Sequence, residues 1–192
     1  MNNSLLRMEV LPFLGQFAAL LVATLAGDLL LHALGGVWVG RYLGIPGTLL
    51  IVLSLAYSLR KRKVIQTGTP QTLLKMHEYF TWLGALMVFI HAGVHFDAVL
   101  PWLATVAMMV NVISGLVGRY LLARSRRYLA ETQEKYRMHG LSKTAVETEM
   151  FWDAVTYDWM AKWRAVHFPI SFAFAALALG HMVSVILFWE WP

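Results

Sequence analysis

The apolar positions of this chain gather into five long runs, at about 11–34, 43–59, 78–97, 100–122 and 166–189, separated by short polar or Gly-rich breaks. A helix needs roughly 20 mostly apolar residues to cross the ~30 Å hydrocarbon core of a bilayer. Lipid offers no partner for open backbone groups, so runs of this length predict spanning helices rather than strands. The expected fold is all-α: one integral membrane domain over 1–192, a bundle of five transmembrane helices.

The breaks between runs are legible too. Gly35, Gly36, Gly40, Gly44, Pro46 and Gly47 mark a short outer connection, with Trp38 and Tyr42 suited to the membrane interface. "QTGTPQT" interrupts the chain before the third run. Pro101 fits the first turn of the fourth, which makes the third and fourth a tight hairpin. The stretch 124–164 is the only sizeable polar segment. Its first part, "RSRRYLAETQEKYRMHG", reads as a helical extension that stops at Gly140. A second helix is expected to begin near Ser142, with Thr144 and Glu147 as a capping box. Val146, Met150, Phe151, Ala154, Val155, Tyr157, Trp159 and Met160 give that helix an apolar side among acidic residues. It is expected to lie on the membrane surface or against the bundle, or to serve as a platform for a soluble redox partner.

Charge orients the bundle. Of the 16 Lys and Arg, five lie in 60–76, nine between 119 and 164, Arg7 precedes the first run, and Arg41 alone falls on the other side. That asymmetry predicts a cytoplasmic N-terminus, an outward C-terminus and a multi-pass protein of the cell's inner (cytoplasmic) membrane. The high pI of about 9.6 is therefore a topology signal, not a nucleic-acid footprint. The first run carries Asp28 and His32 and lacks a convincing cleavage site, so it is expected to be retained. Cys is absent, which excludes cysteine-ligated iron–sulfur clusters, c-type haem attachment and disulfides.

Histidine supplies the candidate chemistry. His77 and His91 are 14 residues apart in the third run, and His167 and His181 repeat that spacing in the fifth. On a helix, 14 residues rise about 21 Å in close to four turns, so both members of a pair face nearly the same way. Imidazoles inside a membrane are costly and usually functional. The third and fifth helices run in the same direction in this topology. His77 therefore pairs with His167 near the cytoplasmic face, and His91 with His181 near the outer face. Two bis-imidazole sites suit two stacked haem irons, and full coordination favours electron transfer over oxygen chemistry. Gly84 and Ala85 between the first pair, and Ala173, Ala175 and Ala176 between the second, would make room for a macrocycle.

The remaining polar residues carry weaker expectations. His95, one turn beyond His91, could replace it as ligand, bond a haem propionate or line an outer quinone site. Asp28 and His32 form an i, i+4 pair able to accept quinol protons or to make a structural hydrogen bond. Glu78 is the inner counterpart. His139 is expected to be solvent-exposed. Arg60, Arg62, Lys75, Lys162 and Arg164 read as positive-inside anchors or as partners for haem propionates.

The run "HEYFTWLGALMVFIHAGVHF" resembles the third transmembrane helix of the ferric reductase and NADPH oxidase superfamily, with His77, His91 and His95 at the matching places. "HFPISFAFAALALGH" is similar to that superfamily's fifth helix. Di-haem cytochrome b subunits of respiratory complexes use a similar spacing on two parallel helices. The resemblance implies two b-type haems on His77, His167, His91 and His181. Five spans rather than six, and no Gly-rich dinucleotide fingerprint after a strand, point to an electron-transfer subunit of a larger membrane oxidoreductase. Such a subunit would exchange electrons with partner subunits and a quinone pool. A ferric or oxygen reductase is the redox alternative, and a membrane anchor or small transporter the non-redox one.

Overall fold

The computed structural model describes residues 11–93, 98–117 and 122–188, and all regular structure among them is helical. The helices are α1 (Leu11–Ala33), α2 (Val37–Tyr42), α3 (Gly44–Ser54), α4 (Ala56–Lys61), α5 (Pro70–Gly93), α6 (Val99–Leu116), α7 (Leu122–Met138), α8 (Lys143–Glu149) and α9 (Phe151–Phe188). By contact they fall into two units, Met1–Ala18 with Ile113–Phe172, and Ala19–Val112 with Ala173–Pro192.

Four stretches are long and apolar enough to cross a membrane: Leu14–Ala33, Val37–Lys61, Val99–Leu116 and Ala165–Phe188. The protein is therefore a multi-pass membrane protein by length and composition. α5 is not among the four, because Lys75, His77, Glu78 and His91 interrupt its apolar run. Large apolar side chains such as Val22, Leu25, Leu29, Leu179, Val183 and Ile186 are more than half exposed. In water that surface would be a liability, and against acyl chains it is the ordinary state.

In the second unit, Leu20, Ala85, Phe89 and Met108 form a buried cluster, with Ile51, Val112 and Phe174 packed on it. It draws on α1, α3, α5, α6 and α9. α1 divides along its length: Val22, Leu25 and Leu29 point outward, while Leu20, Gly27 and Asp28 face inward, the last two against Ile90 and Gly93 of α5. The closest helix contact is α3 on α5. A Cβ at Gly84 would meet the Gly47 carbonyl oxygen and Ile51 Cγ1, each at 2.8 Å, so the helices cross backbone to backbone there. Gly84 thus serves helix packing, and Ala85 is buried in the same unit's core. A small residue at Gly84 lets the neighbouring helix approach.

The second span is segmented rather than continuous. Leu43 and Leu55 separate α2, α3 and α4: Leu43 N is shared between the Val39 carbonyl at 3.1 Å and the Gly40 carbonyl at 3.2 Å, and Leu55 N bonds the Val52 carbonyl at 3.0 Å. Ser54 Oγ bonds the Ile51 carbonyl at 2.6 Å, which takes up an acceptor of the regular ladder. α5 also begins earlier than expected. Thr69 Oγ1 accepts from Thr72 N at 3.3 Å, and Pro70 occupies the first helical position, where a missing N–H is harmless.

In the first unit, α7 packs against α8. Gly140, at φ +75°, ends α7 as expected: Leu141 N reaches the Tyr136 carbonyl at 3.2 Å and Gly140 N the Arg137 carbonyl at 3.0 Å, a paired closure that requires the left-handed region. Ser142 caps α8, its Oγ accepting from Ala145 N at 3.3 Å. The capping box expected at Thr144 and Glu147 does not form: Ser142 supplies the cap, and the residue three on is Ala145, which cannot return the bond. Val146 and Met150 are buried, whereas Phe151, Trp152 and Trp159 are exposed. Partial burial first, and the Asp153 carboxylate second, push the Tyr128 phenol above its ordinary value. Ser142→Ala should weaken α8 by about 1 kcal/mol; amide exchange at Ala145 should then be about fivefold faster, and an unchanged rate would discount the cap.

α8 stops at Met150, and α9 starts one residue later and runs for 38 residues into the last span. The expected separate surface helix is thus divided: a short α8, and a segment that is already the beginning of α9. Pro169 lies inside α9. It has no N–H to give the Ala165 carbonyl, which opens the helix by one bond just beyond His167.

Candidate functional site

The breaks in the second span find their use at α5. His77 Nδ1 lies 3.1 Å from the Ser54 carbonyl oxygen, and His91 Nδ1 lies 3.2 Å from the Gly40 carbonyl oxygen. A carbonyl only accepts, so each Nδ1 carries the proton and each Nε2 keeps its lone pair. Gly40 and Ser54 are 14 residues apart, as are His77 and His91. The two acceptors thus repeat the interval of the two donors, in antiparallel order. Each sits at a helix break: Gly40 shares its carbonyl with Leu43 N, and Ser54 immediately precedes the interruption at Leu55.

Close packing completes each ring's seat. A Cβ at Gly44 would stand 2.9 Å from His91 Cδ2 and 3.0 Å from Nε2, so only glycine lets α3 begin beside that ring. The Tyr57 ring lies 5.7 Å from His77, tilted by 32°. Thr81 Oγ1 bonds the His77 carbonyl, and the buried Phe89 and Ile90 immediately precede His91.

His181 faces His91 within the second unit. Their ring centroids are 6.3 Å apart with planes 48° from each other. Ser184 Oγ donates to the His181 carbonyl at 2.7 Å. Phe174 of α9 packs on the buried cluster that includes Ala85 and Phe89 of α5, so the two helices that carry these rings belong to one core.

His167 belongs to the first unit and His77 to the second, and each has its own surroundings. Ser114 Oγ, on a fully buried residue, lies 2.8 Å from His167 Nδ1. A Cβ at Gly115 would come within 3.3 Å of His167 Cε1. Adjacent Ser and Gly on α6 therefore give that ring a partner and a space. Ser171 Oγ donates to the His167 carbonyl at 2.6 Å.

The lesser candidates separate clearly. His32 Nδ1 bonds the backbone carbonyl of Asp28 at 2.9 Å, while the Asp28 carboxylate stays 3.7 Å away. Asp28 Oδ1 is buried without a hydrogen-bond partner, close to Gly93. His139 is exposed and bonds the Lys135 carbonyl at 2.8 Å, as expected of a solvated residue. Arg60 Nε reaches the Gly68 carbonyl at 3.2 Å, and Lys162 pairs with Asp158 at 2.6 Å. Ala173, Ala175 and Ala176 are exposed. His95 lies outside the described residues.

Among the described residues no group of three or more His, Asp or Glu converges as a metal site. The residues missed in the sequence are the second partners: Gly40, Gly44, Ser54, Ser114 and Gly115. A carbonyl has no letter of its own, and only the Ser–Gly pair inside an apolar run offered a signal. Comparison with protein-family models, with curated proteins and with solved structures finds no match for this chain.

Proposed function

We propose that this chain is a di-haem cytochrome b, an electron-transfer subunit of a membrane oxidoreductase. His91 and His181 would hold the outer haem, and His77 and His167, by their spacing, the inner one. The observation carrying this reading is the set of tied imidazoles. His77 and His91 donate Nδ1–H to backbone carbonyls, the arrangement that fixes the tautomer of metal-ligating histidines and raises their basicity.

The His91–His181 geometry fits the same group. His91 and His181 would supply the imidazole nitrogens that hold the group between them. The observed separation is 6.3 Å. A porphyrin would supply nitrogen donors of its own, which suits a site where the described residues bring two imidazoles together.

Bound haem would supply a one-electron ferric–ferrous couple. The protein's own work is to hold four imidazoles, keep water from the rings with residues such as Phe89, and balance charge nearby. α5 completes five spans in this reading. The histidines that lower its hydropathy are the reason it crosses. The Lys and Arg asymmetry supports an N-terminus inside and the cytoplasmic membrane as location. Asp28 and His32 are the proposed acceptors for protons if a quinol is the outer partner. Phe151, Trp152 and Trp159, beside Glu147 and Asp158, are the proposed inner docking surface for another subunit.

The test is a visible spectrum of the purified full-length protein, oxidised and dithionite-reduced, with haem quantified per chain. About two b-type haems are expected. A colourless protein after expression with ample haem would overturn the proposal and favour a membrane anchor or transporter.

A further inference from the structure

We propose that Ser114 is a positioning residue that sets the donor strength of His167, and through it the reduction potential of the haem that His167 holds. The inference rests on the di-haem reading and goes beyond it, because it assigns a tuning role to a side chain on a helix that carries no ligand.

The partners of the histidines differ in kind. His77 and His91 are tied to backbone carbonyls, strong acceptors that no substitution removes. His167 is tied to a side-chain hydroxyl at 2.8 Å, and that side chain is fully buried. Serines inside helices usually turn back on their own helix, as Ser171 and Ser184 do here by bonding carbonyls three or four residues earlier. Ser114 also places its oxygen 2.8 Å from an imidazole nitrogen of another helix. The neighbouring Gly115 admits the ring edge, with His167 Cε1 3.3 Å from where its Cβ would stand. Hydroxyl and space come from consecutive residues of α6, so the seat is built for this ring.

The hydrogen bond has a direction that matters. If the hydroxyl donated to Nδ1, the proton would sit on Nε2 and the ring could not ligate. In the ligating tautomer Nδ1–H donates to Oγ. That pulls the proton partly away from the ring, makes Nε2 a better donor and stabilises the ferric state. Losing the acceptor should therefore raise the potential of this haem and leave the other alone.

The experiment is a potentiometric titration of the full-length protein in lipid nanodiscs, comparing wild type with Ser114→Ala and Ser114→Cys. The thiol nearly matches the hydroxyl in size but is a poor acceptor, which guards against a packing artefact. His167→Ala identifies which haem is read. The expected result is two haems retained, an upward shift in the midpoint of that haem in both variants, an altered ferric low-spin electron paramagnetic resonance signal from it, and an unchanged second midpoint. Unchanged midpoints in both variants would overturn the inference, as would equal shifts of the two haems, or loss of haem from both variants. A wild type without haem overturns the di-haem reading and this inference with it. A wild type with two haems whose potentials ignore Ser114 overturns this inference alone.

Discussion

Replacing His91 by Ala is expected to cost the protein one haem, and replacing His181 by Ala is expected to cost it the same one. The two ring centroids stand 6.3 Å apart, and nothing nearby among the described residues forms a further metal-binding group. With no Cys to attach a macrocycle covalently, a haem in the proposed site would be retained by its imidazole ligands and by non-covalent contacts alone. His77→Ala and His167→Ala should remove the other haem, so each single variant falls from two haems per chain to one. A pyridine haemochrome assay counts them, and the surviving midpoint potential shows which is left. If His91→Ala kept both haems while His95→Ala lost one, the outer ligand would have been assigned one helical turn short.

A comparable loss should follow from a residue that touches no imidazole. Gly84→Ala is expected to destabilise the fold by about 1–3 kcal/mol, the usual cost of overpacking a tight contact. Its new Cβ would stand 2.8 Å from the Gly47 carbonyl oxygen and 2.8 Å from Ile51 Cγ1. The first of these is backbone and cannot rotate away. α3 would have to move off α5, carrying with it the Ser54 carbonyl that holds His77 and the start of the helix that seats His91. The variant should lose thermal stability and bind both haems more weakly. Gly15→Ala is the control: nothing lies within 4 Å of that position, so Ala there should be neutral or slightly stabilising. A Gly84→Ala protein that matched wild type in melting temperature and haem content would show that the crossing tolerates separation.

Some of this architecture could be read directly from residue order. The long apolar runs, Pro101 in a first turn, Gly140 after α7 and the helix start near Ser142 are local statements. Each depends on a residue's own backbone preference or on its transfer from water to lipid. The equal spacing of the two histidine pairs was equally visible, because helical periodicity turns sequence distance into a shared face.

Other features had no local cue. Leu55 is an ordinary apolar residue in a helical conformation, and nothing in its identity announces a break. The interruption is meaningful only once the carbonyl beside it meets His77. The continuity of α9 from Phe151 into the last span overrode an amphipathic pattern that suggested a separate surface helix, and Pro169 did not end it.

Residue order alone, then, determined that the chain crosses a membrane as helices and that four imidazoles recur at one interval, since both follow from solvation and helical pitch. Tertiary structure decided which oxygen holds which ring, that Gly84 meets the backbone of α3, and that Ser114 lies beside His167. Those outcomes depend on backbone atoms and side chains far apart in the chain coming within about 3 Å, the distance at which a hydrogen bond forms, and one-dimensional spacing carries no such information.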